Sequence, residues 1–197
     1  MFTGLVETRS PVRRRLPKGT GLAVWIAVPE GWSPVMGDSI CVSGACLSVA
    51  ALERGEMLFE LSAETLARTW LGAAEPGVEV NLERAMRLSD RLDGHLVSGH
   101  VDGQGRVVAV RDTGDGGCRI TVEVPEAFQR WLVEKGSVAV DGVSLTVVEP
   151  CGRLFDVAVV PITLEKTTLG GAAPGRAVNL EADPIGKWIE RLLLART

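Results

Sequence analysis

The residues able to do chemistry gather in one short stretch that occurs twice. Residues 42–49 read Val-Ser-Gly-Ala-Cys-Leu-Ser-Val and residues 140–147 read Val-Asp-Gly-Val-Ser-Leu-Thr-Val. At a spacing of 98, Gly44 answers Gly142, Cys46 answers Ser144, Leu47 answers Leu145 and Ser48 answers Thr146. Apolar and small polar residues alternate in both copies, the period of a half-buried strand. Cys46 and Ser48 therefore share one face, as do Ser144 and Thr146. The Ser-Gly or Asp-Gly pair ahead of them reads as a tight turn or bulge. A thiol and hydroxyls facing inward need partners, which suggests a ligand pocket more than a plain core. Cys46 suits a nucleophile or proton acceptor. A buried structural cysteine is the alternative, weakened because the matching residue, Ser144, is polar.

The chain has two histidines, His95 and His100. Five apart on an expected strand, they face opposite sides and cannot share a metal there. His100 takes the position of Leu5 in the duplicated segment, which aims it at a pocket as a proton-transfer candidate. His95 is expected to be structural. Cys41, Cys118 and Cys151 form no CxxC or paired framework. They read as structural free thiols in a reducing, cytoplasmic compartment. Gly114-Asp115-Gly116-Gly117 is a turn, without the strand and helix of a phosphate loop.

These residues are carried by a duplication that runs through most of the chain. Phe2–Glu7 resembles Val97–Asp102, Val28-Pro29-Glu30 matches Val124-Pro125-Glu126, and Asn81-Leu82-Glu83 matches Asn179-Leu180-Glu181, at spacings of 95, 96 and 98. Two copies of that length imply two similar domains rather than a solenoid. The expected domains are residues 1–94 and 95–183, followed by a tail at 184–197. Composition is ordinary globular, 46% hydrophobic with a net charge of −4, which argues against nucleic-acid or anionic-membrane surfaces. No long apolar run suggests a signal peptide or membrane span.

Alternation places strands at 2–8, 22–28, 39–43, 45–53, 56–62 and 78–83, with a Pro/Gly/Arg loop over 9–21 and a short helix at 63–71. Residues 84–94 form a charged link. The second half repeats the plan with strands at 95–101, 104–111, 117–124, 137–141, 143–149, 153–160 and 177–182, and short helices at 125–133 and 163–169. Six or so strands per half with one inserted helix indicate an all-β fold of two similar six-stranded closed barrels in tandem. From Pro184 the apolar residues Ile185, Trp188, Ile189, Leu192 and Leu193 fall on one helical stripe. A helix beyond a complete barrel is expected to pack against copies of itself.

The chain resembles the α-chain type of riboflavin synthase over essentially its whole length. The resemblance rests on Met1-Phe-Thr-Gly-Leu-Val-Glu7, the Gly44-Ala-Cys-Leu-Ser48 block, Gly94-His-Leu-Val-Ser-Gly-His-Val-Asp102, Lys135-Gly136-Ser137, Asp141-Gly-Val-Ser-Leu-Thr146 and Thr163-Leu-Glu-Lys-Thr-Thr-Leu-Gly170. It implies Greek-key barrels and a homotrimer held by C-terminal helices, with the N-barrel of one subunit facing the C-barrel of its neighbour. The implied reaction is a dismutation of two 6,7-dimethyl-8-ribityllumazine molecules by four-carbon transfer, without metal, redox cofactor or nucleotide. It implies catalytic roles for Ser39, Cys46 and Ser48 of the N-barrel and for His100, Ser144 and Thr146 of the C-barrel. Lumazine contacts would come from Gly4, Leu5 and Val6; from Cys46, Leu47 and Ser48; and from Glu60, Leu61, Ser62, Ala63, Glu64 and Thr65. Others would come from Gly99, His100 and Val101; from Lys135; from Ser144, Leu145 and Thr146; and from Ala158, Val159, Val160, Pro161, Ile162 and Thr163. The chain departs from the family pattern at Ser43, where Asn is common, and at Ser48, where Thr is common. Ile162 stands where a polar residue is usual, opposite Glu64 in the other half, which makes the two pockets unequal. The rival from another class is a non-catalytic lumazine-binding antenna protein, which lacks the Cys/His pair. A flavin reductase barrel would need a nucleotide-binding partner domain.

Overall fold

A computed structural model describes residues 1–195; the last two residues of the expected tail lie outside that range. In the first half, β1 (Thr8–Lys18), β2 (Gly21–Ala27), β3 (Ser39–Val42), β4 (Ala45–Glu53), β5 (Glu56–Leu61) and β6 (Glu79–Arg84) close into a barrel in the order β1-β2-β5-β4-β3-β6. Every neighbouring pair is antiparallel, and β6 seals the ring against β1. Alternate side chains fill it: Val24 and Ile26 from β2, Ala45, Leu47 and Val49 from β4, Met57, Phe59 and Leu61 from β5, Val80 and Leu82 from β6. The short helix α1 (Ala63–Arg68), capped by the Ser62 hydroxyl, and a 3-10 turn at Trp70–Ala73 follow β5.

The second half repeats this with β7 (Gly103–Asp112), β8 (Cys118–Glu123), β9 (Ser137–Val140), β10 (Val143–Thr146), β11 (Val148–Cys151), β12 (Leu154–Val159) and β13 (Ala177–Ala182). A 3-10 turn at Glu126–Trp131, the helix α2 (Pro161–Lys166) and a 3-10 turn at Thr168–Gly171 are inserted. The sheet order is β10-β9-β13-β7-β8-β12-β11. Its two outer strands, β10 and β11, are consecutive pieces of what is one strand, β4, in the first half. The sheet therefore curls back on itself, with a break at Val147 next to Glu149, whose positive φ of 50° interrupts the ladder.

The expected loop at 9–21 is instead mostly strand. Its arginines sit on the outer side of β1, where Arg14 pairs with Glu53 and Glu56 and lies 4.0 Å over the Trp25 ring, and Arg15 pairs with Glu75. Cross-strand charges thus supply what the sequence reads as loop polarity. Conversely, 2–8 and 95–101 are not sheet strands before Thr8 and Gly103. They are extended segments that meet each other in one bridge, Phe2 to Val97.

These two segments exchange between the halves. Glu83 of β6 accepts hydrogen bonds from Thr3 N–H at 2.6 Å and Gly4 N–H at 3.1 Å, while the Gly4 carbonyl accepts from Ser144 N–H in the other half. Glu181 of β13 holds Ser98 N–H at 2.7 Å and Gly99 N–H at 2.9 Å, while the Gly99 carbonyl accepts from Cys46 N–H at 2.8 Å. Val6 packs on the second core and Val101 on the first.

The barrels meet through the β3–β4 and β9–β10 turns. Ser43-Gly44 and Asp141-Gly142 all have positive φ, as a type I′ turn requires. A Cβ on Gly44 would come within 3.0 Å of Gly142 N, so glycine also permits the approach. Asn81 donates to the Asp141 carbonyl and accepts from Thr168 N–H, and Asn179 donates to the Ser43 carbonyl and accepts from Trp70 N–H.

The C-terminal helix α3 (Pro184–Leu194) begins at Asp183, whose carboxylate caps Ile185 N–H. Its polar side faces its own barrel: Lys187 pairs with Asp102 at 2.6 Å, and Glu190 accepts from Trp131 Nε1–H at 2.7 Å and pairs with Arg130. The apolar stripe, Ile185, Trp188, Ile189, Leu192 and Leu193, is exposed. No helix among the described residues is long and apolar enough to cross a membrane.

Candidate active site

Cys46 and Ser48 do not face inward. Ala45, Leu47 and Val49 fill the barrel, so the thiol and hydroxyl stand on its outer surface, and the expected inward pocket becomes an outward groove. Register puts Cys41 opposite Cys46 and Ser39 opposite Ser48, on that same face. Cys41 is sealed there under Phe2, Val97 and Ala139, and its burial beside Glu83 pushes its thiol well above the usual range. Cys46 is half-exposed at the rim of a cavity of about 290 Å³.

That cavity is lined by Ala45, Cys46, Leu47, Glu64, Thr65, Arg68, Thr69, Gly99, His100 and Val101. Gly99 is the residue that brings the two segments into contact. Its φ is +80°, and a Cβ there would stand 2.5 Å from Cys46 Cβ, so only glycine lets the segment lie on the thiol-bearing strand. His100 follows directly. It therefore joins Cys46 in the first-half site rather than Ser144 in the second, because the exchanged segments carry each repeat's opening residues across. Gly4, with φ +77°, does the same to Ser144, where a Cβ would stand 2.6 Å from Ser144 Cβ. Leu5 thus takes in the second half the position that His100 takes in the first.

The other expected residues divide. Ser39 lines a separate cleft of about 520 Å³ with Glu7, Asp38 and Arg84, and Ser48 is its neighbour across the β3–β4 ladder. Ser62 caps α1, and Glu60 pairs with Lys18, while Ala63 is exposed. Leu61 and Val159 point into the barrel cores, so only their backbones can face a ligand. Thr146 is exposed on the Ser144 face, opposite Ser137. Lys135 bonds through its backbone to the Val147 carbonyl, with its ammonium drawn toward Glu134. Ala158, Val160, Pro161 and Ile162 are exposed along the end of β12 and the start of α2, and Thr163 and Leu145 are half-buried.

Sequence reasoning missed Arg68 and Thr69. Arg68 pairs with Glu64 at 2.8 Å and reaches the Asp102 carbonyl, which puts a cation and a carboxylate at one edge of the cavity. Their four-residue spacing on a helix was the available signal. His95, expected to be structural, is buried, and its Nδ1 lies 2.7 Å from Ser144 Oγ.

The Lumazine binding domain family model matches this chain twice, over residues 3–85 and 98–183. The chain is 44% identical to the riboflavin synthase of Mycobacterium tuberculosis over 98% of both chains. It belongs to the riboflavin synthase family. It is also 36% identical to the riboflavin synthase of Actinobacillus pleuropneumoniae, over 100% of this chain and 91% of that one. The crystal structure of LumP complexed with 6,7-dimethyl-8-(1'-D-ribityl) lumazine superposes with a TM-score of 0.84 at 20% identity, covering 92% of this chain and 99% of that one. At that identity the likeness speaks for the fold, and it bears out the all-β architecture of two tandem barrels.

Proposed function

We propose that the chain is a riboflavin synthase. It takes two molecules of 6,7-dimethyl-8-ribityllumazine, moves a four-carbon unit from one to the other, and releases riboflavin and 5-amino-6-ribitylamino-uracil, with no metal or redox cofactor. The observation that carries this is the doubled backbone setting: Cys46 under Gly99-His100 in one half, Ser144 under Gly4-Leu5 in the other. Two copies of one substrate need two like cavities, and holding both converts a bimolecular step into an intramolecular one.

One lumazine gives up a proton from its C7 methyl group; the other is attacked at C7. In this reading Cys46 and His100 serve the first-half site as nucleophile or proton carriers, with Ser48 further along the same face of β4 and Ser39 across the ladder from it. Ser144 and Thr146 serve the second. Arg68, Glu64 and Thr65 hold the heterocycle's polar edge and the ribityl chain. A cavity of about 290 Å³ is small for a ligand site, which fits a groove that a neighbouring subunit completes. The outward apolar stripe of α3 supports a homotrimer in which the first half of one copy faces the second half of the next. The working compartment is the cytoplasm.

The test needs only purified protein and the lumazine. Riboflavin should appear at half the rate of lumazine loss, without added cofactor. Tight lumazine binding with no riboflavin formed would favour an antenna role instead.

A further inference from the structure

We propose that Lys187 of α3 is a positioning residue of the first-half site: by pairing with Asp102 it clamps the end of the exchanged segment and so fixes where His100 stands beside Cys46. The effect on turnover rests on the riboflavin synthase reading above; the clamp itself does not. His100 is exposed, and its imidazole has no hydrogen-bond partner among the described residues. The ring therefore goes where the backbone puts it. Ahead of His100, Glu181 holds Ser98 N–H and Gly99 N–H, and the Gly99 carbonyl accepts from Cys46 N–H.

Two residues beyond His100, Asp102 takes over. Its N–H donates to the Leu180 carbonyl at 2.8 Å. Its carboxylate accepts from Ala182 N–H at 2.9 Å and from Lys187 Nζ, at 2.7 Å on one oxygen and 2.6 Å on the other. Its carbonyl accepts from Arg68 at 3.3 Å, and Arg68 lines the same cavity as His100 and Cys46. One residue thus joins α3 to two groups of the first-half site.

The duplication shows what Lys187 replaces. Glu7 answers Asp102 at a spacing of 95, and Arg84 answers Ala182 at 98. Glu7 accepts from Arg84 N–H at 2.8 Å, as Asp102 does from Ala182 N–H. In the first copy Arg84 also brings its guanidinium to Glu7, at 3.0 Å from Nε. An alanine at 182 has no cation to give, and α3 supplies one from outside the repeat. Lys187 is confined as well as charged. Its side chain is 26% exposed and its ammonium lies 5.7 Å from the centre of the Trp131 ring, whose N–H is held by Glu190. A mobile surface lysine would fix little; one held on both oxygens of a carboxylate can fix a backbone.

Lys187→Met removes the cation and keeps a long side chain of good helix propensity. Its kcat should fall about 10-fold, short of the roughly 10²-fold that a misplacement of 1 Å can cost. Arg68 keeps its partner Glu64, so lumazine affinity in a fluorescence titration should hold. Lys187→Arg should restore most of the rate. Asp102→Asn keeps an acceptor for Ala182 N–H and should lose as much as Lys187→Met, and the double variant should lose no more than either alone, because both cut one contact. On protein carrying ¹⁵N-labelled histidine, the His100 ring signals, assigned by their loss in His100→Asn, should shift in Lys187→Met and return in Lys187→Arg. Lys187→Met should keep the wild-type mass in sedimentation equilibrium, which separates the clamp from assembly. Wild-type kcat in Lys187→Met, additive losses in the double variant, unmoved His100 signals, or a rate that falls only where the mass falls would each overturn the proposal. Wild-type protein that makes no riboflavin would remove the parent reading instead, and the His100 signals would then decide the clamp by themselves.

Discussion

At the scale of single residues, position in the repeat predicts more than residue type. Cys46 and Ser144 share one backbone setting: each N–H is bonded to a glycine carbonyl of an exchanged segment, and each Cβ is pressed by that glycine. Their chemistry differs, thiol against hydroxyl. Among the four free cysteines, Cys41 and Cys118 are buried with raised thiol pKa values, and Cys151 is exposed away from the grooves. Cys46 alone stands at a cavity rim beside a histidine. Replacing Cys46 with Ala should lower kcat by at least about 10²-fold while lumazine affinity changes only a few-fold, as read by fluorescence titration against turnover. Full activity in that variant would take Cys46 out of the chemistry. The pairing of Cys46 with Ser144 was legible in the sequence, because both sit in an eight-residue block at constant spacing. The direction in which they point was not. Alternation separates the two faces of a strand without saying which one the barrel encloses, and here the alanine and leucine face went in.

At the scale of elements, the segments 2–6 and 97–101 decide that His100 meets Cys46 and that Leu5 meets Ser144. Their apolar alternation reads as strand, yet each has its partners in the opposite half, and no local pattern reports a partner about 95 residues away. The same blindness hid β1, whose Arg13-Arg14-Arg15 run reads as a solvated loop until Glu53, Glu56 and Glu75 come alongside. The barrel strands with clean hydrophobic faces, β2 to β6, were legible to within a residue or two. The exchange predicts a sharp effect at Gly99. An alanine there combines a left-handed φ of +80° with contacts of 2.5 Å to Cys46 Cβ and 2.8 Å to Cys46 N, neither of which can give way cheaply. Gly99→Ala should cost about 1–3 kcal/mol of stability and most of the turnover, since His100 moves off with the segment. Gly186→Ala, with open space around it on α3, is the matched control and should leave both unchanged. Urea midpoints and riboflavin formation measured on the pair separate a local displacement from general fragility.

At the scale of the whole molecule, α3 is attached the wrong way round for a helix that merely covers a barrel. Lys187 and Glu190 bind it to its own second half, and the apolar residues face away. Trp188 is 68% exposed and Leu192 64% exposed, a patch that a monomer in water has every reason to bury. Asp183, which starts this helix, also acts on His95, so α3 begins beside Ser144. Packing between copies would therefore align the grooves as well as bury the stripe. Placing charges in the stripe, as Ile189→Glu with Leu192→Glu, should leave the barrels folded by circular dichroism, because both side chains are exposed and belong to neither barrel core. It should reduce the mass in sedimentation equilibrium from a multiple of 21.0 kDa to 21.0 kDa itself, and on the proposed assembly, in which a neighbour completes the site, turnover should fall with it. Wild-type protein that sediments at the single-chain mass, or a charged variant that keeps its mass and its rate, would mean that the stripe serves neither assembly nor the reaction.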